Sequence, residues 1–231
     1  RGRTKTLLRS TELRLYLAII GIGAAAVLAG SDGVSLGDAL FTSASAASTT
    51  GFASVDWTML DASVLTVLLV IVATGSMDGS AGGGLRVLRA RTLFDFAARE
   101  LRRQLDPNAV VVLKHGKRAV DERALERVTG YQIAHLGICV VAAFLVAATG
   151  TQLVDAIFTG ISAVSTFGPG LGTGPFGSLD GLDPLARVAL VPFMLAGRLS
   201  VLPLMLAVAW VFRAERTMTR RIRRVSVRRR G

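Results

Sequence analysis

Apolar residues along this chain fall into four long segments, separated by polar, glycine-rich or basic connections. The segments are 15–29, 59–74, 128–149 and 185–212, and each is almost free of charged residues. About 17 to 25 apolar residues are needed to cross the hydrocarbon core of a bilayer, and each segment approaches or exceeds that length once its neutral flanks are counted. The pattern therefore predicts an all-α membrane protein with four crossings.

Two shorter apolar segments, 35–47 and 153–164, lie between the members of each pair of crossings. Each predicts a helix of about 12 residues, which would span about 18 Å, or roughly half a bilayer. Ser35 followed by Asp38 has the pattern of an N-terminal capping box. Helices of this length between two full crossings predict re-entrant segments. The loops that follow them must lie inside protein or beside a polar cavity, because non-helical backbone is tolerated at membrane depth only there.

The two short segments are copies of one another, 117 residues apart. Aligning 36–52 with 153–169 gives ten identities in seventeen positions, where background composition predicts about one or two. A repeat of this kind indicates duplicated structural units. The sequence thus predicts two repeats, each with a membrane helix, a short pore-type helix, a re-entrant loop and a second membrane helix.

The connections divide the chain into four consecutive parts. These are a first repeat (1–89), a cytoplasmic connector (90–127), a second repeat (128–214) and a basic cytoplasmic tail (215–231). The second crossing is interrupted at 75–84 by five glycines, each of which costs a helix about 1 kcal/mol relative to alanine. The connector predicts an amphipathic surface helix at 92–105 and a small β-hairpin that turns at 114–117.

The distribution of charge assigns a side of the membrane to each connection. The net charge is +11, and all 27 Lys and Arg except Arg187 and Arg198 lie in 1–14, 86–127 and 213–230. The other connections carry aspartates instead. This alternation follows the positive-inside rule, so it predicts that both termini and the connector are cytoplasmic. It also favours lipid contact over nucleic-acid binding for the Arg-rich tail.

Other kinds of chemistry have little support in the sequence. The single cysteine, Cys139, lies in an apolar segment, which predicts neither a disulfide framework nor a metal cluster. His115 falls in the predicted hairpin turn and His135 on a membrane helix, and neither has partners at ligand spacing. The glycine-rich segment lacks the Gly-Lys-Ser/Thr ending of a phosphate loop. Without a nucleophile and base pair, an intramembrane enzyme is disfavoured, and no organic cofactor is expected.

The loops that follow the two short helices offer ligands for a cation. Their residues are Ser48, Thr49, Thr50 and Gly51 in the first copy, and Ser165, Thr166, Phe167 and Gly168 in the second. Backbone carbonyls can replace water around an ion without placing a full charge in the membrane. Glycine allows positive φ, so that successive carbonyls can face one axis, and the C-terminal end of each short helix adds partial negative charge. The alternative is a tight re-entrant turn that binds no ion.

Four motifs in this order resemble the Trk/Ktr/HKT superfamily of potassium transporters. They are TTGF at 49–52, GSAGGGLR at 79–86, FGPGLG at 167–172 and MLAGR at 194–198. The similarity covers nearly the whole chain, but only the C-terminal half of a TrkH-type subunit, which has four repeats around one filter. The resemblance implies potassium uptake, with K+ as the transported ion and the two loops as the third and fourth parts of the filter.

The resemblance also implies partners. Two loops would form half of a fourfold filter, so a missing N-terminal half or a second copy of the chain must complete it. The full subunit would be a homodimer in the inner membrane of a prokaryotic cell, regulated by a cytosolic nucleotide-binding ring of the TrkA or KtrA type. Membrane lipid is a further partner, and nucleic acid is not. The competing hypothesis is a non-conducting membrane scaffold or regulatory subunit with degenerate pore loops.

The glycine-rich interruption resembles the intramembrane gating loop of the superfamily. Its candidate gating residues are Gly75, Ser76, Asp78, Gly79, Gly82 and Gly83. The sequence departs from the common Gly-Ser-Thr-Ala-Gly-Gly pattern at Asp78 and Ala81, and an acid at this depth is costly unless it is paired or hydrated. We expect Arg198 to hold the loop across the ion path, through loop carbonyls or Asp78. The alternative is that Arg198 extends to water and only supports packing.

Overall fold

The computed structural model describes residues 10–31, 33–105, 114–115, 118–119 and 122–199. The helices are α1 (Thr11–Ala29), α2 (Leu36–Ser48), α3 (Ala62–Thr74), α4 (Val87–Leu105), α5 (Glu122–Ala147), α6 (Leu153–Val164) and α7 (Pro184–Leu199). Short 3-10 turns cover Trp57–Met59 and Pro175–Gly177, and strands β1 (Lys114–His115) and β2 (Arg118–Ala119) pair antiparallel. The helical fold class predicted from the sequence is confirmed. The basic tail and the end of the predicted fourth crossing lie outside the described residues.

Helices α1 and α5 are long and apolar enough to cross a membrane. The qualifying spans are Thr11–Ala29 and Leu125–Ala147, whereas α3 and α6 are shorter apolar helices. Both long helices carry large apolar side chains on their exposed sides, such as Ile22 and Phe144. Such faces suit a surrounding of lipid or of other apolar helices.

The N-terminus of α2 is set by its sequence. The Asp38 backbone N–H donates to Ser35 Oγ at 3.1 Å, and Ser35 Oγ donates to Asp38 Oδ2 at 2.6 Å. The serine half of the predicted capping box is therefore present, with a hydroxyl satisfying one of the free N–H groups of the first turn, and the Asp38 carboxylate accepts from the Ser35 hydroxyl. This cap fixes where the short helix starts, and thus where its C-terminal loop falls.

Small residues bring the helices close together. A Cβ at Gly23 of α1 would overlap Ser43 of α2, whose hydroxyl donates to the Ile20 carbonyl at 2.7 Å. In the same way, a Cβ at Gly160 of α6 would overlap the backbone of Ala143 in α5. Close backbone approach through glycine, alanine and serine is typical of helix packing in membranes. These contacts position α2 and α6, and with them the two loops that follow.

Two boundaries differ from the sequence prediction. Helix α4 begins at Val87 instead of residue 92, because the Ala90 N–H donates to the Arg86 carbonyl at 3.0 Å and helical bonds thus start directly after the loop. Lys114 and His115 lie in β1, paired with Ala119 and Arg118, so their prediction as turn residues is wrong. The remaining predicted hairpin residues lie outside the described ranges.

Candidate ion-binding loops

The loops after α2 and α6 have matching backbone conformations. Thr49 and Thr166 are both left-handed, with φ of 53° and 55°, and Gly51 and Gly168 have φ of 85° and 103°. In each loop two positive-φ residues thus flank one residue with ordinary φ. The sequence repeat is accompanied by a repeat of local geometry.

The hydrogen bonds that end the two short helices also correspond. The Thr50 N–H donates to the Ser45 carbonyl at 2.9 Å, and the Phe167 N–H donates to the Ser162 carbonyl at 2.9 Å. Such bonds from beyond the helix end satisfy carbonyls of the last turn when the chain turns through a left-handed residue. That residue is usually glycine, but here it is threonine in both loops.

A left-handed threonine is costly. A β-branched side chain with positive φ is a genuine outlier, and such backbone strain costs about 1 to 3 kcal/mol at each residue. Thr49 and Thr166 both carry it, at equivalent positions. Surrounding contacts must hold these conformations, and strain of this kind concentrates at functional sites.

The two loops meet at Gly51 and Phe167. A Cβ at Gly51 would overlap the Phe167 carbonyl oxygen and lie 3.2 Å from Pro169 Cδ. A Cβ at Gly168 would meet no atom of the described chain within 4 Å. Gly51 is therefore required both for its φ and for the close approach, whereas Gly168 is required for its φ alone.

The glycine-rich segment 75–86 packs against both loops. The Gly83 N–H donates to Thr49 Oγ1 at 3.0 Å, and a Cβ at Gly83 would overlap the Ser165 carbonyl oxygen. A Cβ at Gly82 would in turn crowd Ser76 and Thr49. Ser76 is buried, and its N–H donates to the Gly83 carbonyl at 3.4 Å. The structure thus brings Gly82 and Gly83 next to the predicted ion-binding residues, whereas a Cβ at Gly79 would meet nothing of the described chain within 4 Å.

Polar contacts hold the other side of this segment. Arg198 of α7 donates to the Ala81 carbonyl. The Asp78 carboxylate pairs with Arg86 at 2.9 Å, and the Asp78 N–H donates to Glu12 Oε1 at 2.7 Å. Of the two contacts expected for Arg198, the one to a loop carbonyl is present, and Asp78 has Arg86 as its ion-pair partner.

The sequence did not predict the contacts of Asp78 with Glu12 and Arg86. Arg86 stands only eight residues after Asp78, and this spacing was the available signal for the ion pair. Glu12 lies 66 residues before Asp78 and has no local pattern that would connect the two. Contacts of this length depend on helix packing, which a single sequence does not reveal.

Several hydroxyl groups at the loops have no hydrogen-bond partner within the part of the chain that is described. They are Ser162 Oγ, Ser165 Oγ and Thr166 Oγ1, and all three oxygens are buried. Most buried polar atoms in proteins are paired, so each exception calls for an explanation. Hydroxyl and carbonyl oxygens left free by the protein are the kind of ligand that an alkali cation takes.

Asp56 lies beyond the first loop, outside the helices. Its Oδ1 accepts from the Thr58 N–H at 3.0 Å, the Thr58 hydroxyl at 2.8 Å and the Phe176 N–H at 3.1 Å. The pKa of Asp56 is lowered, chiefly by the backbone hydrogen bond from Thr58 and then by the Thr58 hydroxyl. The carboxylate therefore remains an acceptor throughout the physiological pH range.

The described ranges lack a cluster of the usual metal ligands. They contain no group of three or more His, Cys, Asp or Glu placed to hold a metal ion. His135 is buried on α5 and stacks on Tyr131, with ring centroids 6.0 Å apart. The candidate ion ligands in the described ranges stay those predicted from the sequence, the carbonyls and hydroxyls of the two loops.

Comparison with known proteins gives a consistent picture. The sequence model of a family described as TrkH, cation transport protein, matches residues 6–218. The chain is 34% identical over 172 residues to the Trk system potassium uptake protein TrkH of Escherichia coli, which covers 74% of the chain. It is 26% identical over 220 residues to the Trk system potassium uptake protein TrkI of Halomonas elongata, which covers 92% of the chain.

A solved structure is also similar. The crystal structure of the potassium transporter TrkH from Vibrio parahaemolyticus superposes with a TM-score of 0.73 at 27% sequence identity, over 84% of this chain and 42% of that one. The match to the Escherichia coli protein covers 35% of its length. The chain thus spans between a third and a half of the relatives it matches.

Proposed function

Because the chain belongs to the TrkH family of cation transport proteins, we propose that it forms part of a potassium transporter in the cell membrane. The family consists of membrane transporters and not of enzymes, which agrees with the sequence prediction. Potassium is proposed as the ion because the relatives are named potassium uptake proteins. The membrane location is supported by the family and by the apolar spans of α1 and α5.

The ion path runs, in this proposal, past the loops 48–51 and 165–168. The observation that carries it is the matching geometry of the two loops, with strained Thr49 and Thr166 and close contact between Gly51 and the Phe167 carbonyl. Two short helices direct their C-terminal ends toward the same region, where their partial negative charge favours a cation. Each half of the chain then supplies one filter loop after one pore helix.

The segment 75–86 acts as the gate in this proposal. It contacts both filter loops, through Thr49 Oγ1 and next to the Ser165 carbonyl, so an ion leaving the filter meets it directly. Arg198 holds the segment at Ala81. Opening requires the segment to leave these contacts, and Arg198 biases the equilibrium toward the closed position.

The proposal includes the organisation predicted from the sequence. Repeats at 1–89 and 128–214 flank a cytoplasmic connector at 90–127, and both termini, including the tail at 215–231, are cytoplasmic. A missing N-terminal half or a second copy supplies the other two filter loops. The full subunit forms a homodimer and binds a cytosolic nucleotide-binding regulator through its basic cytoplasmic surface.

Rubidium or potassium flux through the intact assembly that contains this chain tests the filter assignment. Gly51→Ser and Gly168→Ser should each lower flux by about tenfold or more, because both place a side chain on left-handed backbone at the ion path. Gly21→Ser is the matched control, since Gly21 lies in α1 and a Cβ there meets nothing within 4 Å.

Flux equal to that of the wild type in all three variants would contradict the filter assignment. In that case the scaffold or regulatory role becomes the better account of this chain. Protein levels in the membrane, measured by immunoblot for each variant, separate loss of transport from loss of protein.

A further inference from the structure

Two adjacent residues outside the membrane helices contact the opposite half of the chain. Asp56 and Trp57 follow the first candidate filter loop, and both side chains contact residues that belong to or follow α6. Neither residue belongs to the motifs that point to the filter. We call this pair the outer clamp.

Trp57 packs directly behind the second candidate filter loop. It is fully buried, and its ring lies edge-on to Phe167, with centroids 5.3 Å apart and an interplanar angle of 71°. It also packs against Phe158 of α6, at 6.1 Å and 60°. Edge-to-face aromatic pairs have preferred geometries and resist sliding, so Trp57 restricts the movement of the Phe167 side chain.

The Phe167 side chain and the Phe167 carbonyl each have a close contact. The ring is held by Trp57, and the carbonyl oxygen lies against Gly51, where a Cβ has no room. Because ring and carbonyl belong to one residue, a contact that fixes the ring also restricts how far the carbonyl beside the first loop can shift. Trp57 positions an oxygen of the proposed filter without contacting the ion itself.

Asp56 holds the same loop from its other end. Its Oδ1 accepts the Phe176 N–H, which lies 120 residues later in the chain. The next residue, Gly177, accepts the Gly170 N–H at 2.8 Å through its carbonyl, and Gly170 follows the second filter loop by two residues. The described bonds thus connect Asp56, through one 3-10 turn, to the backbone just after Gly168.

We infer that Asp56 and Trp57 are positioning residues that set the discrimination between K+ and Na+ by fixing the Phe167–Gly170 backbone. This inference rests on the proposed function. Na+ is smaller than K+, so a filter whose carbonyls can move inward coordinates Na+ better and loses preference. The outer clamp opposes that movement from two directions, through an aromatic contact and a charge-assisted hydrogen bond.

The test is competition by Na+ against rubidium flux in the intact assembly. Trp57→Leu and Asp56→Ala should each reduce the preference for K+ over Na+ by about two- to tenfold, the range expected from one lost hydrogen bond or contact. Trp57→Phe should retain most of the preference, because it keeps an aromatic ring, and Trp57 Nε1 has no partner within the described chain to lose. Asp61→Ala is the control, since the Asp61 side chain makes no capping bond to α3.

The outcomes separate the clamp from the filter. If Gly51→Ser impairs flux while Asp56→Ala and Trp57→Leu leave the ion preference unchanged, the clamp is wrong and the filter assignment stands. If Gly51→Ser also has no effect, the proposed function itself fails. Should Trp57→Leu prevent assembly, Asp56→Ala decides, because it removes a carboxylate outside the core. If Asp56→Ala and Trp57→Leu lower the flux but leave the preference for K+ over Na+ unchanged, the two residues have only a structural role and the inference is wrong.

Discussion

At the residue scale, each candidate filter loop places a strained threonine two residues before a glycine. Gly51 and Gly168 were predicted from the need for positive φ, and both have it. Thr49 and Thr166 share the left-handed conformation, which no propensity would predict for a β-branched residue. Thr49 shows one use for the strain, since its hydroxyl accepts the Gly83 N–H. A glycine at this position would relieve the strain and remove that acceptor.

Asp56 gives a pH-dependent prediction at the same scale. Hydrogen bonds to the ionised carboxylate lower its pKa in the folded protein, so the folded state binds the proton less tightly than the unfolded state. The resulting stability is fully present above the ordinary aspartate pKa of about 3.9 and is lost as the pH falls through the lowered folded pKa. The unfolding midpoint of wild type should exceed that of Asp56→Asn at neutral pH, and the difference should narrow below about pH 4.

Thermal unfolding of the detergent-solubilised protein measures this difference across the pH range. Asp61→Asn controls for the removal of an acid from the same connection, because its side chain makes no capping bond. A difference between wild type and Asp56→Asn that widens as the pH falls would contradict the sign derived for Asp56.

At the element scale, the segment 75–86 shows how far a motif predicts structure. Its glycines predicted an interrupted crossing, and α3 does end at Thr74 with irregular backbone until α4 begins at Val87. The sequence left open whether Arg198 would reach a carbonyl or Asp78, and the structure has the Ala81 carbonyl. Asp78 instead pairs with Arg86, because the chain turns back within the segment and brings both to one side.

Arg198→Ala tests the gate at this scale. Loss of a hydrogen bond from a charged donor costs about 1.5 to 3 kcal/mol, so the closed-to-open equilibrium should shift toward open by about tenfold or more. Single-channel recording or flux at fixed driving force measures the change. Arg187→Ala is the control, since Arg187 is exposed near the other end of the same helix.

Equal open probability in wild type and Arg198→Ala would remove the gating role from this arginine. The remaining account would be that Arg198 supports packing at the end of α7. Reduced conduction in Arg198→Ala would likewise contradict the closed-state bias assigned to it.

At the scale of the whole molecule, local sequence patterns predicted the helices, whereas the long-range contacts became known only from the structure. Apolar segments predicted α1 and the short α2 and α6 to within a few residues, because hydropathy and capping are local properties, whereas α5 begins six residues before its apolar segment. The contact of Gly51 with Phe167 and that of Asp56 with Phe176 join distant parts of the chain. Internal repetition predicted that the two loops are alike, but only helix packing decides that they touch.

Membrane topology is the prediction that belongs to this scale. Alternating charge predicts that Asp180 lies outside the cell and Gln104 inside, and both side chains are exposed. In a Cys139→Ala background, a membrane-impermeant maleimide should label Asp180→Cys in intact cells. The same reagent should label Gln104→Cys only after the cells are permeabilised. Labelling in the reverse order would invert the proposed topology.

The residues that contact the proposed gate are synthesised at different times. Gly83 contacts Thr49, which precedes it in the sequence, and Ser165, which follows it by 82 residues. Arg198, which contacts the same segment at Ala81, comes later still. Because a ribosome delivers the N-terminal part of a chain first, the proposed gate is synthesised before the second proposed filter loop. If the proposal holds, a growing chain therefore contains its gate before its second filter loop, and Arg198, which bonds to the Ala81 carbonyl, is synthesised last.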